Sequence, residues 1–390
     1  MRWYLGSRFA ILAYCGLVAV LAWQTCTGNA LAQAADPEPV AGPDPAVYEQ
    51  TVAKAIAYLE NQGQAEDGSY SSHAGPAITA LATTALLRTG RTAEDPLIAR
   101  SLEYLKGFVH DDGGIYAEGS RHRNYETCLA ILCFNEANRD GRYDELLDGA
   151  EKFIKGIQWD AQEGHDISSP SYGGAGYGSH SRPDLSNTSF LIEGLKATGN
   201  GPDDEHLQAA LVFVSRCQNL ESEHNTTEFS TKNPDGGFYY TIAAGGQSQA
   251  GETTSGGLRS YGSMTYAGLK SMIYAGVGPE DMRVKAAYDW ARQHYALDEN
   301  PGMGNAGLYY YYHTFAKALE AIGEDVIVEG SGDRHNWRRD LVEELAKRQR
   351  PDGSWVNEND RWLEGDPNLV TGYALLALSY CKPQTQPPQQ

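Results

Sequence analysis

Gln349-Arg350-Pro351-Asp352-Gly353-Ser354-Trp355, followed by Thr371-Gly372-Tyr373-Ala374-Leu375-Leu376-Ala377-Leu378, is the stretch whose reading decides the fold. A Gly-bearing turn ends in an aromatic, and a Thr then opens a run that is apolar nearly all round. The same order recurs upstream. The earlier turns read Asp67-Gly68-Ser69-Tyr70, Asp112-Gly113-Gly114-Ile115-Tyr116, Tyr172-Gly173-Gly174-Ala175-Gly176-Tyr177, Asp235-Gly236-Gly237-Phe238 and residues 304–309. The Thr positions are Thr79, Thr127, Thr188, Thr265, Thr314 and Thr371, at spacings of 48, 61, 77, 49 and 57 residues. A period of this size points to a repeat architecture in which each unit is one helical hairpin.

A helix that is apolar on all sides belongs inside a protein. The runs after each Thr fit that description, and Gly90, Gly199, Gly276 and Gly323 stand where a helix would stop. Between them lie segments with one polar face, at 45–62, 96–108, 143–158, 205–218, 281–294 and 336–349. The chain starts on an outer segment and ends on an inner one, so the first and last elements can pair. The reading is an all-α (α/α)6 toroid of six inner and six outer helices. It forms one domain over 45–381, after a linker at 35–44. Residues 219–258 are a long inserted loop, and 382–390 a Pro/Gln-rich disordered tail.

Residues 1–34 read as a signal peptide. Arg2 and Arg8 flank an apolar stretch at 9–23, and Ala30-Leu31-Ala32-Gln33-Ala34 offers small-residue cleavage sites. The stretch is short for a stable membrane span, and an uncleaved anchor is the alternative. Cleavage would place an exported protein in the periplasm or outside the cell. Of the six cysteines, Cys128, Cys133, Cys217 and Cys381 remain in the toroid, too few for a disulfide framework, and are read as buried free thiols. The net charge of −20 becomes −22 without Arg2 and Arg8. Such acidity excludes a nucleic-acid groove and disfavours strong binding to anionic membranes. No CxxC pair or HExxH is present, so neither metal nor cofactor is expected.

The segment from Gln349 to Trp355 is similar to the QxxDGSW signature of squalene cyclases, with weaker copies after Gln62 and Gln218. Six turns in register with six helix starts extend the likeness. Over 45–381 the chain resembles the prenyltransferase/squalene-oxidase repeat superfamily. That resemblance implies an α/α toroid and isoprenoid-like ligands. Squalene–hopene-type cyclases carry P-D-x-D-D-T at the start of an inner helix. Here the segment is Pro183-Asp184-Leu185-Ser186-Asn187-Thr188, and Ser and Asn cannot supply the proton that alkene cyclisation needs. Protein prenyltransferase β-subunits hold zinc with Asp-x-Cys and a His. Tyr312-His313-Thr314 is similar to the His segment, but Tyr261-Gly262-Ser263 retains neither of the other ligands, and zinc is not expected.

Alignment on the Thr residues asks what stands at one height around the ring. Just before each Thr come Ile78, Glu126, Asn187, Met264, His313 and Val370; two before come Ala77, Tyr125, Ser186, Ser263, Tyr312 and Leu369. Polar choices gather in repeats two to five, which suggests a one-sided pocket at the inner-helix N-termini. The catalytic candidates are Glu126, Asp184 and His313. The ligand-binding candidates are Tyr125, Arg182, Ser186, Asn187, Tyr261, Ser263 and Tyr312. Each has a plainer reading. Asp184 suits an N-cap, Glu126 an ion pair with Arg121 or Arg123, and His313 a hydrogen-bonded helix start. Trp355 and Trp362 read as repeat-packing residues. The leading expectation is a small apolar, isoprenoid-like ligand, with terpenoid-cyclase-like acid–base chemistry in altered form. Two alternatives stay open. One is a non-catalytic envelope scaffold with a filled barrel. The other is a secreted acidic-glycan lyase or hydrolase using Arg121, His122, Arg123, His180 and Arg182.

Overall fold

The computed structural model describes residues 40–178 and 181–383. The expected signal peptide, His180 and nearly all of the expected tail lie outside the described residues. The outer helices are α1 (Pro45–Tyr58), α3 (Pro96–Lys106), α5 (Asp144–Lys155), α7 (Glu205–Arg216), α10 (Met282–Gln293) and α12 (Trp337–Arg348). The inner helices are α2 (Ala77–Arg88), α4 (Arg123–Ala137), α6 (Leu185–Ala197), α9 (Gly262–Tyr274), α11 (Leu308–Ile322) and α13 (Pro367–Ser379). Each inner helix packs on the next, and α13 packs on α2, so the ring closes. The outer helices cover the seams: α1 lies against α12 and α13, and α7 against both α6 and α9. The chain is an (α/α)6 toroid.

Residue pattern explains the two layers. In α2 every residue from Ala77 to Leu87 is buried, whereas α5 buries only Leu147, Ala150, Phe153 and Ile154. Asp44, Asp95, Asp204 and Asp281 cap outer helices by accepting backbone N–H bonds, the usual N-cap arrangement. Gly90, Gly199, Gly276 and Gly323 all have positive φ, as helix stops require. Two additions escape the helical period. The 219–258 insertion contains a short helix, α8 (Phe229–Lys232), and an antiparallel hairpin joins β1 (Val326–Val328) to β2 (Arg334–Asn336).

The recurrent turn works through two local bonds. The Thr hydroxyl oxygen accepts the turn's backbone N–H, from Tyr70 to Thr79 at 2.9 Å, Ile115 to Thr127 at 3.0 Å and Ala175 to Thr188 at 3.0 Å. Phe238 to Thr265 at 3.1 Å and Trp355 to Thr371 at 3.2 Å repeat it. The Gln amide spans the turn and the following outer helix: Gln218 donates to Gly236 O at 2.9 Å and Arg283 O at 2.8 Å. Gln158 and Gln349 do the same. In the first repeat the residue is Gln64, not Gln62. The turn presses closely on that helix, since a Cβ on Gly173 would stand 1.8 Å from Ala209 O.

Repeat five departs from the alignment. Thr314 donates to Tyr310 O and Tyr311 O and receives no turn N–H. Tyr311 is the fourth residue of α11, as Thr188 and Thr265 are of α6 and α9, and its hydroxyl donates to Ala296 O at 2.7 Å. The ring position in this repeat is therefore three residues earlier than the Thr indicated, nearly one helical turn. Trp355 packs as expected, buried with its indole N–H on Leu345 O at 2.8 Å. The four toroid cysteines are free and buried.

Candidate functional site

The inner-helix N-termini meet at one mouth of the ring, around a cavity of about 640 Å³. The positions just before the anchor line it in α2, α4, α6 and α9, through Ile78, Glu126, Asn187 and Met264. In α13 the contribution is Leu369 and Tyr373. In α11 it is Tyr310, the residue before the corrected anchor. Tyr125, Ser186, Tyr261 and Ser263 also border the space. The barrel is not filled with side chains at this end.

Much of the wall is aromatic. The Tyr125 ring meets Phe190 edge-on at 5.0 Å, and Tyr310 meets Tyr373 at 6.0 Å. Their hydroxyls pair laterally, Tyr125 with Tyr373 at 2.9 Å and Tyr310 with Ser186 at 3.0 Å. Burial pushes all three phenols well above their ordinary pKa, so they act as neutral hydrogen-bonding groups. Tyr177, and Tyr240 and Gln249 from the insertion, complete the roof.

Two buried carboxyl groups border the cavity. Glu126 accepts from Ala117 N at 2.8 Å and Ser120 Oγ at 2.7 Å. It forms no ion pair with Arg121 or Arg123; the Arg123 guanidinium lies 4.8 Å over the Tyr116 ring instead. Glu364 accepts from Tyr310 N at 2.8 Å and Asn357 Nδ2 at 2.6 Å, so it caps α11 from another repeat. Burial raises its pKa, and the donors around it offset that only in part.

Other expected residues lie elsewhere. Asp184 is buried behind Asn187 and caps α6, accepting from Asn187 N at 2.9 Å and Nδ2 at 2.8 Å. Burial raises its pKa to about 6, against the Asn187 and Tyr240 hydrogen bonds and the charge of Arg182. The Arg182 guanidinium covers the Tyr240 ring at 5.6 Å and donates to Gln247 at 2.7 Å, outside the cavity lining. Tyr312 turns away and donates to Leu297 O. His313 lies deeper in the barrel, its ring 5.6 Å from that of Tyr373. The three-residue shift in α11 is the physical reason that Tyr312 and His313 miss the mouth. Trp362 corrects the expectation in the other direction. It stands on the rim, 45% exposed, under the Arg361 guanidinium at 4.1 Å. Trp362 and Leu363 both have positive φ, 58° and 65°.

No protein-family model matches the chain, and no curated protein does. Solved structures do. The type II terpene cyclase MstE from Scytonema, in its apo form, is 14% identical over 87% of this chain and 98% of that one, at a TM-score of 0.48. A variant of MstE in complex with its substrate, geranylgeranyl dihydroxybenzoate, is 12% identical over 86% of this chain and 97% of that one, at 0.45. A polysaccharide lyase is 10% identical over 85% of this chain and 96% of that one, at 0.49.

Among the described residues no group of three or more His, Cys, Asp or Glu is placed to hold a metal ion. Within the same residues no helix is long and apolar enough to cross a membrane. Of the cavity-bordering residues outside the sequence candidates, Phe190, Tyr310 and Tyr373 lie on inner helices, and two more are Glu364 and Trp362. Both sit in the loop before α13, with no helical period or turn motif to mark them.

Proposed function

We propose that the toroid receives an apolar, isoprenoid-like ligand in the mouth cavity. The observation that carries this reading is the 640 Å³ chamber itself, walled by the aromatic rings of Tyr125, Phe190, Tyr310 and Tyr373, with Arg121, His122, Glu126, Ser186, Asn187 and Glu364 among the polar side chains at its border. The volume falls within the range of small-molecule sites, which are mostly apolar with a few convergent polar groups. The ring faces suit an alkyl chain or a developing positive charge. Ser186, Asn187 and Glu126 are assigned to the polar end of the ligand. Proton exchange with the ligand is assigned to Glu126 and Glu364, the carboxyl groups at the wall, rather than to Asp184 or His313 behind it. Export by residues 1–34 remains part of the proposal, tested by whether that segment directs a fused reporter out of the cytoplasm.

The deciding experiment is mass spectrometry of lipid extracted from the purified protein, with farnesol and geranylgeraniol titrated against tryptophan fluorescence. A co-purifying isoprenoid and a saturable change at Trp362 are expected. Absence of both, together with release of unsaturated ends from a uronate polymer, would replace this reading with the lyase one.

A further inference from the structure

A carboxylate at the chamber wall has no cation against it. Glu126 is 4% exposed, and its two oxygens accept from Ala117 N at 2.8 Å and Ser120 Oγ at 2.7 Å. The Ser120 oxygen itself accepts the His122 N–H at 2.9 Å, which leaves its single hydrogen for Glu126. Both Glu126 oxygens therefore act as acceptors, the hydrogen-bonding pattern of an ionised carboxylate. Ala117 and Ser120 line the chamber, as does Gly75, where a Cβ would stand 3.2 Å from Glu126 Oε1. The charge is set at the wall and not behind it.

The other buried ionisable side chain at the chamber border, Glu364, is also a carboxyl, and its donors, Tyr310 N and Asn357 Nδ2, are neutral. Arg121, His122 and His73 border the chamber from exposed positions, where water and salt screen them, and Glu118 is exposed beside them. The N-terminus of α4 supplies only about half a unit of positive charge. A buried charge is costly unless an opposite one meets it. Rings border the same space from five repeats, through Tyr125, Phe190, Tyr261, Tyr310 and Tyr373. Aromatic faces attract cations, most strongly where water is excluded. A phosphate or carboxylate head would meet Glu126 with like charge.

We propose that the mouth chamber selects an amphiphile whose polar end is an ammonium group, set against Glu126 within the aromatic wall. The inference rests on the reading that this chamber takes an apolar chain, and adds the charge that the chain must carry.

The test compares two probes of one chain length on the full purified chain: farnesol, which is neutral, and farnesyltrimethylammonium, which is permanently cationic. Tryptophan fluorescence titrations are run at about pH 8, above the ordinary histidine range. The cation should bind about tenfold more tightly, and Glu126→Gln should bring the two affinities together. A crystal of the unaltered protein with the cation should place its nitrogen within about 6 Å of the Tyr125 ring centroid, beside the Glu126 carboxylate. That readout does not depend on the variant folding. Equal affinities in the unaltered protein, an equal advantage in Glu126→Gln, or a nitrogen bound away from Glu126 would each overturn the ammonium assignment and leave the apolar chamber standing. Binding of neither probe would overturn the apolar-ligand reading as well.

Discussion

The two ends of the inner barrel solve the burial of polar groups in opposite ways. At the mouth, six helix N-termini converge mainly on phenols, a serine hydroxyl and an amide, and the two carboxyl groups at the wall, Glu126 and Glu364, are held by hydrogen-bond donors with no cation against them. At the other end the groups are charged: Glu193 with Lys270 and Lys317, Arg88 with Glu136. Neutral groups tolerate a gap beside them, and a chamber of about 640 Å³ persists there. Buried charges require direct contact with a partner, and the space left is about 10 Å³. Helix dipoles run the same way, since cations are favoured toward C-terminal ends. The chamber therefore lies at the mouth because the other end is occupied by its own ions.

Substitutions that break this contrast should rank by how much charge they leave exposed to the interior. Glu193→Gln strands two ammonium groups and should cost about 3–5 kcal/mol in urea unfolding; a loss below about 1 kcal/mol would mean the base is not held by ions. Asp184 is a third buried carboxyl near the mouth, behind Asn187 rather than at the cavity wall. Its folded pKa of about 6 lies above the ordinary 3.8, so the native state holds its proton more tightly than the unfolded chain. Its share of stability is full below the unfolded value and is lost as pH rises through the folded one. At about 1.4 kcal/mol per pKa unit the loss is about 3 kcal/mol. In Asp184→Asn, whose Oδ1 can still accept the Asn187 N–H, unfolding free energy should be flatter between about pH 4 and 6; an unchanged slope would sink the assignment.

Within α11 the contrast can be sharpened by one pair. Tyr310→Leu should weaken isoprenoid binding about tenfold, from loss of one aromatic wall contact. Tyr312→Phe should leave affinity unchanged, because its hydroxyl serves Leu297 O outside the chamber. Equal effects in fluorescence titration would mean the ligand lies elsewhere. The smallest change is expected on the rim. Trp362→Gly relieves a left-handed backbone and should alter stability by about 1 kcal/mol at most, in the stabilising direction, while diminishing the fluorescence response to ligand.

The layers and the ring were legible in the sequence because each turn is a local device. Gly, Gln and Thr are bound to one another within a short span, and their spacing survives in the residue order. Repeat five shows where such reasoning slips. A tyrosine took the anchor position, and the nearest Thr lay one turn further along. Glu364 was invisible for a different reason: it caps a helix 54 residues upstream from a loop that carries no pattern. The ions at the base were hidden by length. Glu193 pairs across 77 and 124 residues with lysines set in helices that otherwise read as apolar. No periodicity can report a partnership made only when the circle is complete.

That circle has a consequence for how the molecule comes into being. Gln349 donates to Thr51 O at 2.9 Å and Asn368 to Gly63 O at 3.3 Å, joining the last repeat to the first. An open array of repeats interacts only with its neighbours along the line and can be shortened by a unit. Here the wall that holds Tyr373 belongs to α13, the last of the ring's helices in chain order, so the chamber is complete only when that helix has joined the ring. Cyclic order, rather than starting point, defines the fold. Opening the chain within the 219–258 insertion and joining the old ends would preserve every seam of the ring while changing which one forms last.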